Sequence, residues 1–412
     1  MRTTYILALV SALLSALSPS AAGQHFTTLY TISGGSPLGL VAGNGVLFGT
    51  TSGDAPPGGQ SNCGTVFELQ APAAPGGSWT VTVLHAFTGL NGDPCVPVGP
   101  PAIGADGAVY GITNVGGAYD AGAVYRLQPP GAPGGEWTEA ALYSFSFDLG
   151  FPAALALAPE GAFYVLTSSG GAYGGGVLLK LQPPPSPGGT WIPTVLYNFP
   201  GGFAGGIPWS LTLAPGGEIY GTLGTGGLAP WYSGAIFQLS PPSAPGGDWT
   251  ETILYDFRGG KDGTAPNSLT LAGDGTLYGT TFGTINIDGG HWTYGVGTVF
   301  HLTPPATPGA GWTKTILQQF GQGHLHGPDA PLILRNGNLY GTSSSPAGGV
   351  VFEMQPPAAP GGAWTTTYLH NFTNGLTPGG ALVMDGNGSI YGATIGPPQL
   401  EPAGTVYRLT VK

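Results

Sequence analysis

Charged side chains are scarce in this chain. Asp, Glu, Lys and Arg together account for 7% of its 412 residues, and only nine residues are Lys or Arg, which leaves a formal net charge of −11. Because there is no basic stripe, the composition argues against nucleic acid or an anionic membrane as a partner. The low charge also excludes a disordered, self-repelling polymer, so we expect a folded protein.

Long hydrophobic runs are missing once the first two dozen residues are passed. Arg2 precedes an apolar stretch over residues 5–17, and small residues follow at 18–23. This order is typical of a secretory signal peptide, and the stretch is shorter than the roughly 20 residues that span a bilayer. The sequence therefore predicts a signal peptide at 1–23 and a single domain at 24–412. It also predicts a secreted protein, either extracellular or periplasmic.

Cysteine is limited to two residues, Cys63 and Cys95. An exported chain enters an oxidising compartment, in which an even number of cysteines favours disulfide formation. We therefore predict a disulfide between Cys63 and Cys95. The alternative is two separate buried thiols.

Glycine and proline, in contrast, are abundant, with 77 and 41 residues. They recur between short apolar segments, as turn residues do. Each recurrence belongs to a longer unit: an apolar–aromatic–Gly tripeptide, a Gly-rich stretch, a GTVFxL-like run, a Pro-rich turn and a W-T-x-x-x-L-Y-x-F segment. The aromatic residue of the tripeptide occurs at Phe48, Tyr110, Tyr164, Tyr220, Tyr278, Tyr340 and Tyr391. Such a period indicates tandem repeats, none of which can bury its core alone.

Each repeat divides into four short β-strands, because its apolar and aromatic residues alternate with polar ones. The last repeat stops at its third strand, residues 404–409, while a strand at 25–32 precedes the first repeat. An open solenoid would instead need polar capping repeats at both ends. We therefore predict an all-β, seven-bladed β-propeller with four antiparallel strands per blade, closed by the N-terminal strand pairing with the last blade.

One tryptophan recurs in the fourth strand of six repeats. We interpret these residues as packing between blades, because a residue that every unit requires serves the unit. They are Trp79, Trp137, Trp191, Trp249, Trp312 and Trp364.

The motifs L-Y-G-T-T, G-T-V-F-x-L, P-G-G-x-W-T and L-Y-x-F, in this order, resemble the tandem GloVer repeat of exported bacterial proteins. The resemblance covers essentially the whole chain after the leader. Unit three departs most, with Phe163-Tyr-Val-Leu and Gly176-Val-Leu-Leu-Lys-Leu in place of the usual forms. The resemblance implies a secreted or surface repeat protein, and it supplies no catalytic residues.

Topology separates two sets of loops in such a propeller. The loops after the second strands and the connections between blades lie on one face, and the turns after the first and third strands lie on the other. The first set varies strongly among the seven units, whereas the second is stereotyped. Function on a rigid scaffold concentrates in variable loops, so the first face is the predicted binding face. Both cysteines fall in this variable set.

Aromatic residues outside the repeat pattern cluster on blades four and five of that face. The candidates are Trp209, Trp231 and Tyr232 on blade four, with Asp288, His291, Trp292 and Tyr294 on blade five. Aromatic rings beside carboxylates suit sugars, whose C–H faces stack while their hydroxyls bond to polar neighbours. The alternative is that these rings only pack a loop onto its blade.

Two further patterns contain residue types that are common in active sites and metal sites. Asp262, Asp288 and Asp329 fall on the same face, and two such carboxylates can cleave a glycosidic bond, although each also fits a turn. His324 and His326 resemble a short chelate without a third ligand. No G-x-S-x-G, H-E-x-x-H, P-loop or C-x-x-C motif is present. No catalytic residue, metal or cofactor is therefore predicted.

The favoured interpretation of function is a non-catalytic, exported propeller that presents a binding face to a glycan or an extracellular protein. The alternative is a polysaccharide-acting enzyme with paired carboxylates at the channel mouth. A structural role in the cell envelope is a further alternative. In each case we expect a monomer with no nucleic-acid partner and no membrane span.

Overall fold

The structure describes most of the chain from residue 24 onward. The structure is a computed structural model. It describes residues 24–32, 35–43, 45–53, 63–74, 76–132, 134–186, 188–202, 206–227, 232–244, 246–283, 286–288, 291–293, 297–307, 309–321, 327–328, 330–345, 348–359, 361–373, 375–396 and 404–411.

Seven four-stranded antiparallel sheets form in these residues, and each is one blade. Blade one contains β2 (Ser36–Gly43), β3 (Val46–Ser52), β4 (Thr65–Gln70) and β5 (Thr80–Ala86). Blade two contains β6 (Pro94–Ile103), β7 (Val109–Gly116), β8 (Ala123–Gln128) and β9 (Thr138–Ser144). Blade three contains β10 (Pro152–Leu157), β11 (Phe163–Thr167), β12 (Val177–Gln182) and β13 (Ile192–Asn198). Blade four contains β14 (Pro208–Leu213), β15 (Ile219–Leu223), β16 (Ala235–Ser240) and β17 (Thr250–Asp256).

The remaining three blades follow the same order. Blade five contains β18 (Pro266–Leu271), β19 (Leu277–Thr281), β22 (Gly297–Thr303) and β23 (Thr313–Phe320), with the hairpin β20 (Asn286–Asp288) and β21 (His291–Thr293) inserted in its loop. Blade six contains β24 (Ile333–Arg335), β25 (Asn338–Ser345), β26 (Gly348–Gln355) and β27 (Thr365–Phe372). Blade seven combines β28 (Thr377–Met384), β29 (Ser389–Ile395) and β30 (Gly404–Thr410) with β1 (His25–Ile32). The predicted seven-bladed, all-β propeller is confirmed.

The ring is closed by the N-terminal strand, as predicted. β1 pairs with β30 in antiparallel register, from His25 opposite Thr410 to Ile32 opposite Gly404. β2 of blade one in turn contacts β28 and β29 of blade seven. The first and last blades are therefore joined both by backbone hydrogen bonds and by side-chain packing.

The hydrophobic core lies between the blades. The buried apolar residues form seven clusters, and each cluster combines side chains of two adjacent blades. Burial of this kind explains the period, because one four-stranded sheet has two apolar faces and needs a neighbour on each.

Glycine in the second strand makes room for the large ring of the third strand. A Cβ atom on Gly49 would lie 2.4 Å from the Phe67 ring, so only glycine fits there without rearrangement. In blade three the second-strand residue is larger and the third-strand residue is smaller, because Val165 and Leu179 stand in place of glycine and an aromatic residue. Its sequence departures are therefore complementary to each other.

Two faces of the ring are used below. The loop face carries the loops after the second strand of each blade and the connections between blades. The hairpin face carries the turns after the first and third strands. The described part of the chain contains no helix with the length and hydropathy needed to cross a bilayer.

Candidate functional site

The structure describes part of the predicted aromatic platform on blades four and five. Trp209 and Tyr232 are exposed on the loop face, by 40% and 39%. Trp231 and Tyr294 lie outside the described residues. The other three belong to the inserted hairpin, in which Asp288 pairs with His291 and Trp292 lies on the same strand as His291. A platform that spans both blades therefore stays a prediction.

Trp209 occupies a β-bulge at the start of β14, between Pro208 and Ser210. A Cβ atom at position 224 would lie 2.3 Å from the indole ring, so Gly224 is what allows the ring to lie against the next strand. The other side of the ring reaches solvent. A bulge re-aims a side chain in this way without breaking the sheet.

Exposed aromatic rings extend beyond the predicted pair. Tyr119 and Tyr173 follow the second strands of blades two and three, and Phe147 lies in the connection between these blades. Their exposures are 61%, 69% and 62%. The sequence offered one signal, a G-G-A-Y sequence in both loops. Neither tyrosine is among the residues predicted from the sequence to form the binding face.

The two cysteines meet on the loop face at the junction of blades one and two. Cys63 and Cys95 are joined by a disulfide, with their Cα atoms 4.5 Å apart. The amide N–H of Val96 donates a hydrogen bond of 2.8 Å to the carbonyl of Cys63. The disulfide therefore links a loop of blade one to the first strand of blade two.

Of the three aspartates proposed from the sequence as a carboxylate pair, the structure describes the side chain of one, Asp262. Asp262 is engaged by Lys314, whose Nζ lies 2.7 Å from Asp262 Oδ1. Asp329, His324 and His326 lie outside the described residues. Asp262 is therefore the counter-ion of a buried lysine.

A well-defined groove lies on the opposite, hairpin face. It has a volume of about 940 Å³ and runs between blades two and three. Tyr110, Arg126 and Asp106 line one side, and Phe163 and Trp191 line the other. A smaller groove of about 630 Å³ lies on the same face between blades four and five, beside Glu218 and Tyr220.

The larger groove lies where the packing of Trp191 departs from that of other tryptophans of the repeat. At four other junctions the tryptophan meets the second-strand aromatic ring of the preceding blade edge-on, with centroids 6.1 to 6.2 Å apart. The Trp191 ring instead lies 5.3 Å from Phe163 of its own blade. Phe163 also packs 5.0 Å from Tyr110. The other six units place Leu, Val or Ile at the Phe163 position. The larger ring takes the place next to Tyr110, and a groove opens.

Three polar side chains form a connected group in this groove. Arg126 Nη2 donates a hydrogen bond of 2.7 Å to Asp106 Oδ2, and the Tyr110 hydroxyl donates one of 3.1 Å to the same oxygen. The guanidinium carbon lies 5.9 Å from the centre of the Tyr110 ring. One carboxylate, one guanidinium and one phenol therefore share a single wall.

The environment sets the protonation of this group. Burial alone would raise the pKa of Asp106, but hydrogen bonds from the Ala108 amide, Arg126 and Tyr110 hold it below its ordinary value. Burial raises the pKa of Tyr110, and the Asp106 carboxylate adds to this although Arg126 opposes it. At neutral pH the groove thus contains an ionised carboxylate beside a protonated phenol.

The family comparison matches most of the chain. The model described as the Gloeobacter/Verrucomicrobia repeat matches residues 96–290 and 232–412, which together cover 96–412. No curated protein matches the chain.

Solved structures resemble this fold from end to end. An ulvan lyase, described as a new family of polysaccharide lyase, superposes with a TM-score of 0.59 at 12% identity, over 92% of this chain and 94% of its own. The same enzyme bound to -[GlcA(1-4)Rha3S]- gives 0.56 at 12% identity, over 92% and 94%. Polysaccharide lyase Uly1 gives 0.53 at 11% identity, over 92% and 89%.

These matches overturn the interpretation of the chain as a non-catalytic binding propeller. All three structures are described as polysaccharide lyases, so the comparison favours the enzyme alternative. At 11% and 12% identity, the likeness itself shows a shared fold.

Proposed function

The chain belongs to the Gloeobacter/Verrucomicrobia repeat family, and we propose that it is a polysaccharide-acting enzyme that cleaves an acidic glycan by elimination. The observation that carries the proposal is the groove between blades two and three. It combines apolar ring surface with a carboxylate, a guanidinium and a phenol, a combination that suits a sugar ring. The shared architecture with polysaccharide lyases supports the same reaction class.

The groove favours elimination over hydrolysis. Hydrolysis by the usual route needs two carboxylates about 5 to 9.5 Å apart. The described groove offers one, Asp106, together with Arg126 and Tyr110. That set suits a uronic sugar, because a guanidinium neutralises the sugar carboxylate and makes the adjacent C–H more acidic.

Each group has a role in this reaction. The ionised Asp106 carboxylate accepts the proton that leaves the carbon next to the sugar carboxylate. A carbon–carbon double bond forms as the bond to the glycosidic oxygen breaks. Tyr110, whose raised pKa keeps it protonated, donates its proton to that leaving oxygen. Arg126 holds the negative charge that develops on the sugar carboxylate.

The test is an assay on uronate-containing and neutral polysaccharides, with the chain produced without its leader. Elimination creates an unsaturated sugar, so we expect a rise in ultraviolet absorbance in step with new reducing ends. Reducing ends without that absorbance would show hydrolysis and contradict the proposed chemistry. No cleavage of any acidic polysaccharide would contradict the enzyme assignment.

Matched variants locate the site. Tyr110→Phe is expected to lower the rate constant of cleavage by about 10²-fold or more. Tyr391→Phe is the control, because Tyr391 makes the same 3.1 Å hydrogen bond, to Asp385, on blade seven. There Trp79 lies against the tyrosine with ring centroids 6.2 Å apart, as at the ordinary junctions. Equal losses in both variants would indicate a structural effect and reject the groove as the site.

We also propose that residues 1–23 direct export, in keeping with a glycan substrate outside the cytoplasm. Mass spectrometry of the secreted chain should find its N-terminus near residue 24. A chain that keeps Met1 after export would contradict this.

A further inference from the structure

A lysine supplies a positive charge inside the junction of blades four and five. Lys314 is 3% exposed, and its Nζ bonds to Asp262 Oδ1 at 2.7 Å and to the Asp262 carbonyl. The ammonium group also lies 4.9 Å from the centre of the Tyr255 ring. The second carboxylate oxygen of Asp262 accepts a hydrogen bond of 2.8 Å from the amide of Arg258. This junction therefore contains an acid, Asp262, a cation, Lys314, and Tyr255, whose hydroxyl donates a hydrogen bond to Asp262 Oδ1.

The junction of blades one and two has the same frame. Asp93 Oδ2 accepts a hydrogen bond of 2.5 Å from the amide of Thr88, which follows Phe87 as Arg258 follows Phe257. His85 stands where Tyr255 stands, two residues before that phenylalanine. Its Nε2 lies 3.3 Å from Asp93 Oδ1, the oxygen that corresponds to the one that Tyr255 contacts. Asp93 is thus the counterpart of Asp262.

At the junction of blades one and two, an acid, Glu139, stands in the position of Lys314. Glu139 lies two residues after Trp137 and pairs with Leu127, as Lys314 lies two residues after Trp312 and pairs with Leu302. The junction therefore places a second carboxylate in the position that an ammonium group occupies elsewhere in the same ring.

The positive charge is missing from the described surroundings. One oxygen of Glu139, Oε1, is buried and has no hydrogen-bond partner. In the described part of the chain, no lysine or arginine forms an ion pair with Asp93 or Glu139. Two neighbouring, partly buried carboxylates repel each other, and one oxygen of Glu139 has no donor, so the geometry calls for a cation between them.

We propose that this junction binds a divalent cation of the zinc type. The ligands are a ring nitrogen of His85 and one carboxylate oxygen each from Asp93 and Glu139, and these atoms all lie within 4.8 Å of one another. One imidazole with two carboxylates is a donor set that Zn²⁺ accepts with three protein ligands, water completing the shell. The side chains of His85 and Asp93 are 25% and 18% exposed, which leaves a path for the ion.

The disulfide holds part of the site in place. Asp93 lies two residues before Cys95, which is bonded to Cys63. The Asp93 carboxylate is fixed further by the Thr88 hydroxyl, at 2.6 Å. Ligands held this way before the ion arrives need little rearrangement to bind it. The sequence pattern predicted no metal, because the three ligands lie on two repeats and share no motif.

The direct test is zinc binding by the untagged mature chain, stripped with a chelator and desalted. Calorimetry should show one strong Zn²⁺ site per chain, and zinc should raise the melting temperature. Glu139→Gln should weaken binding by about tenfold or more. Glu251→Gln is the matched control, because Glu251 has the same register on blade four but bonds to the Tyr197 hydroxyl. Absence of zinc uptake by the unmodified chain, or equal affinity in Glu139→Gln, would overturn the proposal.

A charge-reversing variant tests whether the site binds a cation because it lacks the lysine found at the other junction. Glu139→Lys recreates the acid–lysine arrangement of the junction between blades four and five. We expect this variant to fold, to melt at or above the temperature of the metal-free parent, and to show no response to zinc. A Glu139→Lys chain that zinc still stabilises as much as the parent would overturn the assignment of the ligands.

Discussion

The hydroxyl group of Tyr197 on blade three donates a hydrogen bond of 2.9 Å to Glu251 on blade four. Burial raises the pKa of Glu251, and this hydrogen bond opposes the increase. The pair occupies the same register as Tyr255 with Lys314 and as His85 with Glu139. Equivalent positions on neighbouring fourth strands therefore carry three different polar pairs around the ring: tyrosine with glutamate, tyrosine with lysine, and histidine with glutamate.

Removing the Tyr197 hydroxyl should destabilise the protein. Tyr197→Phe leaves a half-buried carboxylate without its donor, at a cost of about 1 to 3 kcal/mol in the free energy of unfolding. Urea unfolding measures this change. Tyr143→Phe is the control, because Pro193 stands at the facing position on blade three. An equal effect of both variants would show that the hydrogen bond contributes nothing specific.

The ion pair between Asp262 and Lys314 should make the fold sensitive to acid. Burial alone would raise the pKa of Asp262, but hydrogen bonds from Lys314, the Arg258 amide and Tyr255, with the charge of Lys314, lower it below 3.8. A depressed pKa contributes stability that is present above the unfolded value, near 3.8, and is lost as pH falls through the folded value. The free energies of unfolding of the parent chain and of Asp262→Asn, measured at pH 6 and at lower pH values, should therefore become more similar as the pH falls.

At neutral pH the same variant leaves a buried ammonium group without its counter-ion. Asp262→Asn should then cost about 3 to 5 kcal/mol. The double variant Asp262→Asn with Lys314→Met removes both charges and should recover most of that loss. If the double variant were as unstable as the single one, the charge would not be the cause.

The size complementarity seen in blade three should be transferable. Gly49→Val alone places new methyl groups against the Phe67 ring and should cost about 1 to 3 kcal/mol. Adding Phe67→Leu reproduces the pairing of Val165 with Leu179 and should restore part of the loss. A double-mutant cycle on melting temperatures measures the coupling. Purely additive losses would mean that the two positions do not compensate each other.

Phe163 should control the groove. With Phe163→Leu, the Trp191 ring can move to the edge-on position against Tyr110 that other junctions adopt, and the groove closes. We expect cleavage activity to fall by about tenfold or more, while stability changes by less than about 1.5 kcal/mol. Ile219→Val, at the same position in blade four, is the control. Unchanged activity in Phe163→Leu would show that the groove is not used.

The disulfide should contribute measurable stability. Cys63→Ser with Cys95→Ser opens a loop of 32 residues, which in the chain-entropy model corresponds to about 3 to 4 kcal/mol. Guanidinium unfolding of the parent chain with and without reductant, beside the double variant, measures this contribution. The reduced parent and the double variant should agree. A parent chain indifferent to reductant would contradict the prediction.

The sequence by itself determined the propeller. The recurrence of Phe48, Tyr110 and their counterparts revealed the number of blades, and the unpaired segment at 25–32 revealed the closure. These properties are readable because strand pairing and turn formation depend on residues close in sequence or on an exact repeat. Unit three was also visible as the exceptional one, through Phe163 and Val165.

Only the tertiary structure showed the consequence of these departures in unit three. The groove beside Trp191 arises from the packing of two blades. The cluster of His85, Asp93 and Glu139 arises where two fourth strands meet the connection between their blades. Neither has a motif, because its members are separated along the chain and meet only when neighbouring sheets stack. Local pattern specifies each blade, whereas the groove and the cluster lie between blades, where distance in sequence carries no information about distance in space.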